Sequence, residues 1–159
     1  MSLTIGQKLP DMTLHIKDED GIDSCETGVF FAGKKIVVFT VPGAFTPTCS
    51  LKHMPSYLEH YDALKEAGID EIACLSINDA HVMHAWGEAQ NVGDKIKMLA
   101  DQSGAFSEAL GLAVHMGPVL GTRAGRSAFI VDDGVITHSF IEEPAVYEVS
   151  SAEHVLANI

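Results

Sequence analysis

The sequence predicts an α/β layered fold, a central mixed sheet flanked by helices, and three observations carry that prediction. Short apolar, β-branched runs lacking polar alternation mark strands covered on both faces. Segments with apolar residues at intervals of three and four separate them as helices. Near the C-terminus, a Gly-containing turn between two strand-like runs marks an antiparallel hairpin. Strand and helix alternating in this order imply layers of helix on sheet.

Taken in order, Ile36-Val37-Val38-Phe39-Thr40-Val41 is the first such strand, ended by Pro42-Gly43. From Cys49, the positions Leu51, Met54, Leu58, Tyr61 and Leu64 place one apolar stripe on a helix that stops near Gly68. Pro55 falls inside this helix and is expected to kink it. Glu71 to Ile77 is the next strand, and Asn78-Asp79 supplies a cap for a helix from Ala80 to about Gln90. A short strand around Ile96 to Leu99 and a short helix around Ala105 to Leu110 follow. Ala128-Phe129-Ile130-Val131 and Val135 to Phe140 flank Asp132-Asp133-Gly134, where Gly134 supplies a positive φ. Ser150 or Ser151 can cap a last helix through Val155 and Leu156, and Asp18-Glu19-Asp20 reads as a solvated turn.

A length of 159 residues, 47% apolar and 20% charged, suits one compact domain over residues 1–159, with no repeat, low-complexity tract or linker dividing it. No apolar run approaches the roughly 18 residues of a membrane span, and Met1 to Pro10 lacks a basic segment followed by an apolar stretch. Neither a membrane nor secretion is expected. Ten basic against 22 acidic residues give a net charge of −12, which repels phosphate backbones and anionic lipid and makes nucleic acid an unexpected partner. Three cysteines, Cys25, Cys49 and Cys74, are too few for a disulfide framework, and an odd count leaves a free thiol; a reducing cytoplasm is the expected setting.

Chemistry concentrates in Val41-Pro42-Gly43-Ala44-Phe45-Thr46-Pro47-Thr48-Cys49, where a buried strand passes through a Pro/Gly turn into a cysteine that opens a helix. Unpaired amides and the positive helix end stabilise an anion there and favour the thiolate, the nucleophilic form. The hydroxyl of Thr46 is near enough to turn toward the sulfur or a bound oxygen, while Pro42 and Pro47 restrict the loop. Dithiol exchange through Cys-x-x-Cys is disfavoured, because position 46 is threonine. At this level Cys49 as a small buried hydrophobe stays open. Elsewhere the residues carry less. His81 and His84 lack a neighbouring third metal ligand, Gly121 to Gly125 matches no nucleotide loop, and Trp86 with Met83 reads as packing.

The run from Pro42 to Ser50 resembles the peroxidatic segment of the peroxiredoxins, in the Pro-Gly-Ala-Phe-Thr-Pro form of the type II subfamily. The resemblance continues through Ser76-Ile77-Asn78-Asp79, Ala85-Trp86, Leu99-Ala100-Asp101 and Ala128 to Gly134, nearly the whole chain. It implies a thioredoxin-like fold and a thiol-dependent peroxidase of antioxidant defence. This enzyme would reduce hydrogen peroxide and small organic hydroperoxides through a cysteine sulfenic acid and be recycled by an external thiol, glutathione/glutaredoxin or thioredoxin. It implies no bound cofactor or metal, and a homodimer. Carried over by position, Cys49 is the peroxidatic nucleophile, Pro42 shields it, Thr46 hydrogen-bonds the peroxide and Arg126 completes the set, with Arg123 a competitor for that last role. Cys74, 25 residues beyond Cys49, resembles a resolving cysteine of some members, yet its place inside Ile72-Ala73-Cys74-Leu75 favours a packing thiol. No role attaches to Cys25. The alternative function for the same thiol is a peroxide sensor or relay that passes oxidation to a partner protein.

Overall fold

The structure, a computed structural model, describes residues 3–159. Its strands are β1 (Thr13–Asp18), β2 (Gly21–Glu26), β3 (Lys35–Thr40), β4 (Glu71–Ser76), β5 (Ile96–Ala100), β6 (Ala113–His115), β7 (Thr122–Ala124), β8 (Ser127–Asp132) and β9 (Val135–Ile141). Its helices are α1 (Thr27–Phe30), α2 (Met54–Glu59), α3 (Tyr61–Glu66), α4 (Ala80–Ala89), α5 (Ala105–Ala109), α6 (Gly117–Leu120) and α7 (Ala152–Ala157), with a π-helical turn Cys49–His53 leading into α2. Seven strands form one mixed sheet in the order β2-β1-β5-β4-β3-β8-β9, and β6 with β7 makes a separate ribbon. Among the described residues no helix is long and apolar enough to cross a membrane.

The central strands β5, β4 and β3 run parallel, joined by helical crossovers, whereas β8 lies antiparallel to β3. Both faces of β3 are covered, which explains its unbroken apolar sequence. Val37, Phe39 and Val41 pack with Met54, Tyr57, Leu64, Met83, Trp86 and Val155 on one side. Ile36 and Val38 pack with Phe31, Phe106, Leu110 and Phe129 on the other. On the first side the Phe39 and Tyr57 rings stack at 4.1 Å between centroids and 2° between planes, fixing α2 over the end of β3.

The anticipated strands and helices are present, and Asp79 and Ser151 cap α4 and α7 by accepting from the Val82 and His154 amides. One expectation is corrected. The helix beginning at Cys49 does not run unbroken to Gly68 but is interrupted at His60 (φ −100°, ψ 16°), between α2 and α3. Pro55 lies where the π-helical turn gives way to α-helix: the Met54 amide still bonds back to the Cys49 carbonyl, and the proline, having no N–H, sits where the pattern changes. The hairpin turn after β8 takes the expected positive φ at Gly134 (81°), with a second at Asp133 (47°). Cys25 lies on a strand, paired with Leu14 across the β1–β2 hairpin. That hairpin escaped the sequence reading because its exposed edge strand, Gly-Ile-Asp-Ser-Cys-Glu, has little apolar alternation; pairing with β1 defines it.

Removing the stacked ring beneath the site tests this arrangement. Phe39→Ala is expected to cost about 3–5 kcal/mol of stability, read as a lower urea midpoint.

Candidate active site

The loop leaving β3 carries the site and is tied down along its length. Val41 N–H donates to the Leu75 carbonyl (3.1 Å), and Ala44 N–H to Asn78 Oδ1 (3.0 Å), which also accepts from Ser76 Oγ (2.6 Å). Arg123 reaches across from β7, donating from Nε to the Leu120 carbonyl (2.9 Å) and from Nη1 to the Pro42 carbonyl (3.4 Å). Gly43 makes that reach possible, since a Cβ there would stand 3.1 Å from Arg123 Nη1 and 3.1 Å from Thr46 Cγ2. At the loop's tip Phe45 holds a positive φ of 65°, costly for a bulky residue, with its side chain 57% exposed.

Helical backbone begins at Pro47, whose missing N–H is harmless in a first turn. The Ser50 amide closes that turn onto the Thr46 carbonyl (3.0 Å), so the amides of Thr48 and Cys49 lie ahead of it, at the anion-favouring end. Thr46 donates its hydroxyl proton to the Gly43 carbonyl (2.7 Å). It therefore offers lone pairs, an acceptor for a peroxide O–H, and does not act as a donor to the sulfur. Trp86, read from sequence as packing only, also donates Nε1–H to Ser50 Oγ (3.0 Å), pinning the residue after Cys49.

Cys49 is fully buried, and Arg126 Nη2 donates to its sulfur at 3.3 Å. The other terminal nitrogen, Nη1, lies 3.0 Å from His53 Nδ1, and His53 Nε2 lies 3.0 Å from the Ser150 carbonyl. A guanidinium only donates, so Nδ1 must accept and Nε2 must carry the hydrogen given to Ser150. Burial, reinforced by the Arg126 charge, pushes the His53 imidazole down to about 3, which keeps it neutral. Tyr147 covers the same guanidinium, its ring centroid 6.0 Å from Arg126 Cζ.

Pro42, Thr46, Cys49 and Arg126, named from sequence, thus gather where β3 ends and β8 begins, with Arg126 on the sulfur and Arg123 on the loop backbone. His53 and Tyr147 were missed. His53 did carry a signal, since it stands four residues after Cys49 and so shares its helix face. Cys74, on β4 opposite Phe39, is fully buried in the cluster that holds Cys49. Burial, followed by repulsion from Cys49, pushes the Cys74 thiol well up, and Cys25 is raised chiefly by burial; all three cysteines are free. Among the described residues the one group with metal-ligand spacing is Glu59, His60 and Glu153, outside this loop. His60 Nδ1 there is already engaged by the Ser56 carbonyl (2.9 Å) and Glu153 (3.4 Å).

A family model described as Redoxin matches residues 4–156. Peroxiredoxin-2B of Arabidopsis thaliana is 40% identical over 156 residues, covering 97% of this chain and 96% of the relative. Reduced Prx3 of Vibrio vulnificus, solved in complex with hydrogen peroxide, is 48% identical with a TM-score of 0.94 and 98% of each chain covered. A Plasmodium falciparum antioxidant protein described as a 1-Cys peroxiredoxin is 29% identical with a TM-score of 0.90 and 96% of each chain covered.

The neutral, buried His53 makes a prediction about acid stability. Between its ordinary value of 6.5 and about 3 the unfolded chain binds a proton that the folded chain refuses, so this residue contributes a loss of stability as pH falls through that window. His53→Gln should flatten the decline by up to about 1.4 kcal/mol per pH unit, measured by urea denaturation from pH 6.5 to pH 4; an unchanged slope would show that the imidazole protonates in place.

Proposed function

Since this chain belongs to the redoxin family as a peroxiredoxin, a thiol-dependent peroxidase of antioxidant defence, we propose that its peroxide chemistry runs through Cys49. The observation that carries the proposal is the Arg126 guanidinium 3.3 Å from the Cys49 sulfur. The Cys49 thiolate attacks one peroxide oxygen, an S–O bond forms as the O–O bond breaks, and water or an alcohol leaves after taking a proton. The cysteine is left as a sulfenic acid. Charge spreading over both oxygens in the transition state meets Arg126 and the first-turn amides, donors already in place. Thr46 accepts the hydrogen of the incoming peroxide, and Pro42, in the same loop, shields the sulfur. Arg123 acts on the loop and not on the reacting atoms.

Return to the thiol uses an external donor, with glutathione/glutaredoxin favoured over thioredoxin. Supporting this is the burial of Cys74 inside β4, which keeps it protonated and unavailable unless the site unwinds. The likeness to a protein described as a 1-Cys peroxiredoxin points the same way. One domain, a homodimer and a cytoplasmic setting complete the reading. A sensor or relay would use the same sulfur but fail to turn over with small thiols and glutaredoxin.

Cys49→Ser is expected to abolish peroxide turnover while leaving the circular dichroism spectrum unchanged, because the hydroxyl is far too basic to ionise near neutral pH; substantial residual turnover would place the nucleophile elsewhere. Arg126→Ala is expected to slow peroxide attack by roughly 100- to 1000-fold, and Arg123→Ala by much less, in stopped-flow measurements. After one equivalent of peroxide with glutathione present, mass spectrometry should find a Cys49–glutathione adduct that glutaredoxin removes. A near-quantitative Cys49–Cys74 disulfide would show internal resolution instead.

A further inference from the structure

Arg126 is anchored at both ends by a ring of hydrogen bonds that closes through Glu142, a residue with no hydrogen bond to the Cys49 sulfur. Its backbone N–H donates to the Arg126 carbonyl (3.1 Å), tying the end of β9 to the start of β8. Its side chain turns the other way. Glu142 Oε2 accepts from the amides of Glu148 (2.7 Å), Val149 (3.0 Å) and Ser150 (3.0 Å) and from Ser150 Oγ (2.7 Å). Converging donors of this kind form a nest for an anion, and a carboxylate suits it far better than a neutral group. The nest fixes the loop of residues 143–150 and with it the Ser150 carbonyl, which accepts from both His53 Nε2 (3.0 Å) and Tyr57 Oη (2.8 Å). His53 Nδ1 in turn accepts from Arg126 Nη1 (3.0 Å), which completes the ring. The same loop carries Tyr147 over the guanidinium.

We infer that Glu142 is a positioning residue for peroxide attack: its carboxylate holds the 143–150 loop so that Ser150, His53 and Tyr147 fix the Arg126 guanidinium on Cys49. A guanidinium on a flexible stem loses alignment easily, and a donor must be aimed before the reaction begins to lower the barrier. Without the nest the Ser150 carbonyl is no longer held, His53 loses its fixed partner, and the Arg126 fork is free to swing. The inference rests on Cys49 and Arg126 as assigned above.

The test compares Glu142→Ala, Glu142→Gln, Arg126→Ala and the double variant Glu142→Ala/Arg126→Ala in the full chain, with circular dichroism as a check of folding. The Glu142→Gln change keeps the side chain's volume and one acceptor oxygen, so it reports the loss of charge should the alanine variant fail to fold. Hydrogen peroxide attack, followed by Trp86 fluorescence, should slow on the order of tenfold in Glu142→Ala. Alkylation of Cys49 by iodoacetamide, which has no O–O bond to polarise, should change far less. In the double variant the rate should match that of Arg126→Ala alone, because Glu142 acts through Arg126. Equal losses in the peroxide and alkylation rates, additive losses in the double variant, or a wild-type rate in both Glu142 variants would overturn the inference. A wild-type rate in Arg126→Ala would instead overturn the Arg126 assignment beneath it.

Discussion

The contact between the Arg126 guanidinium and the Cys49 sulfur organises everything around it. A cation brought to the edge of a buried core needs partners for all of its donors, or the cost of leaving water goes uncompensated. Here one terminal nitrogen faces the sulfur, the other faces an imidazole, and an aromatic ring lies over the group. The imidazole serves because it is neutral. Protonated, it would repel the arginine and could accept nothing from it, so burial of His53 and alignment of Arg126 are one condition seen from two sides.

The fold meets that condition by bringing separate strand ends to one place. Parallel β3 and β4 deliver the loop and its tether, Val41 to Leu75 and Ala44 to Asn78, while antiparallel β8 starts beside the end of β3 and presents Arg126. Thr40 Oγ1 donates to the Gly125 carbonyl (2.6 Å) and lies 2.6 Å from Ser127 Oγ, so the two strand ends are stitched immediately before they diverge. The stack of Phe39 on Tyr57 sets the height of α2 above the sheet, and Tyr57 shares the Ser150 carbonyl with His53. Sheet, helix and C-terminal loop therefore bear on one guanidinium.

The same burial bears on the recycling proposed for Cys49. Cys74 lies within the apolar cluster of Cys49 but on a central strand with neighbours paired on both sides, so strand β4 is an unfavourable element to move. The turn carrying Cys49 is held differently. It is π-helical, its hydrogen-bond pattern changes at Pro55, and what fastens it to the rest of the fold is side-chain bonds, from Trp86 to Ser50, from Arg126 to Cys49 and His53, and from His53 to the Ser150 carbonyl, in place of a strand ladder. If either element gives way to an external thiol, this turn is the weaker of the two.

The sequence by itself determined the alternation of strand and helix, the caps at Asp79 and Ser151, the C-terminal hairpin and the placement of Cys49 where a loop enters a helix, because each depends on neighbours along the chain. The resemblance carried by Pro42 to Ser50 added Arg126 ahead of Arg123. Tertiary structure alone decided the rest. Which arginine reaches the sulfur depends on the register of β8 against β3, and no local pattern encodes a register between strands so far apart in the chain. The neutral state of His53 depends on burial among Phe39 of β3, Tyr57 of α2 and Tyr147 of the loop after β9. The direction of the Thr46 hydroxyl depends on a carbonyl that only the folded loop presents. Glu142 read as one acid among 22 until the chain returned three amides and a hydroxyl to its carboxylate, an arrangement made by a loop closing on itself and invisible to periodicity.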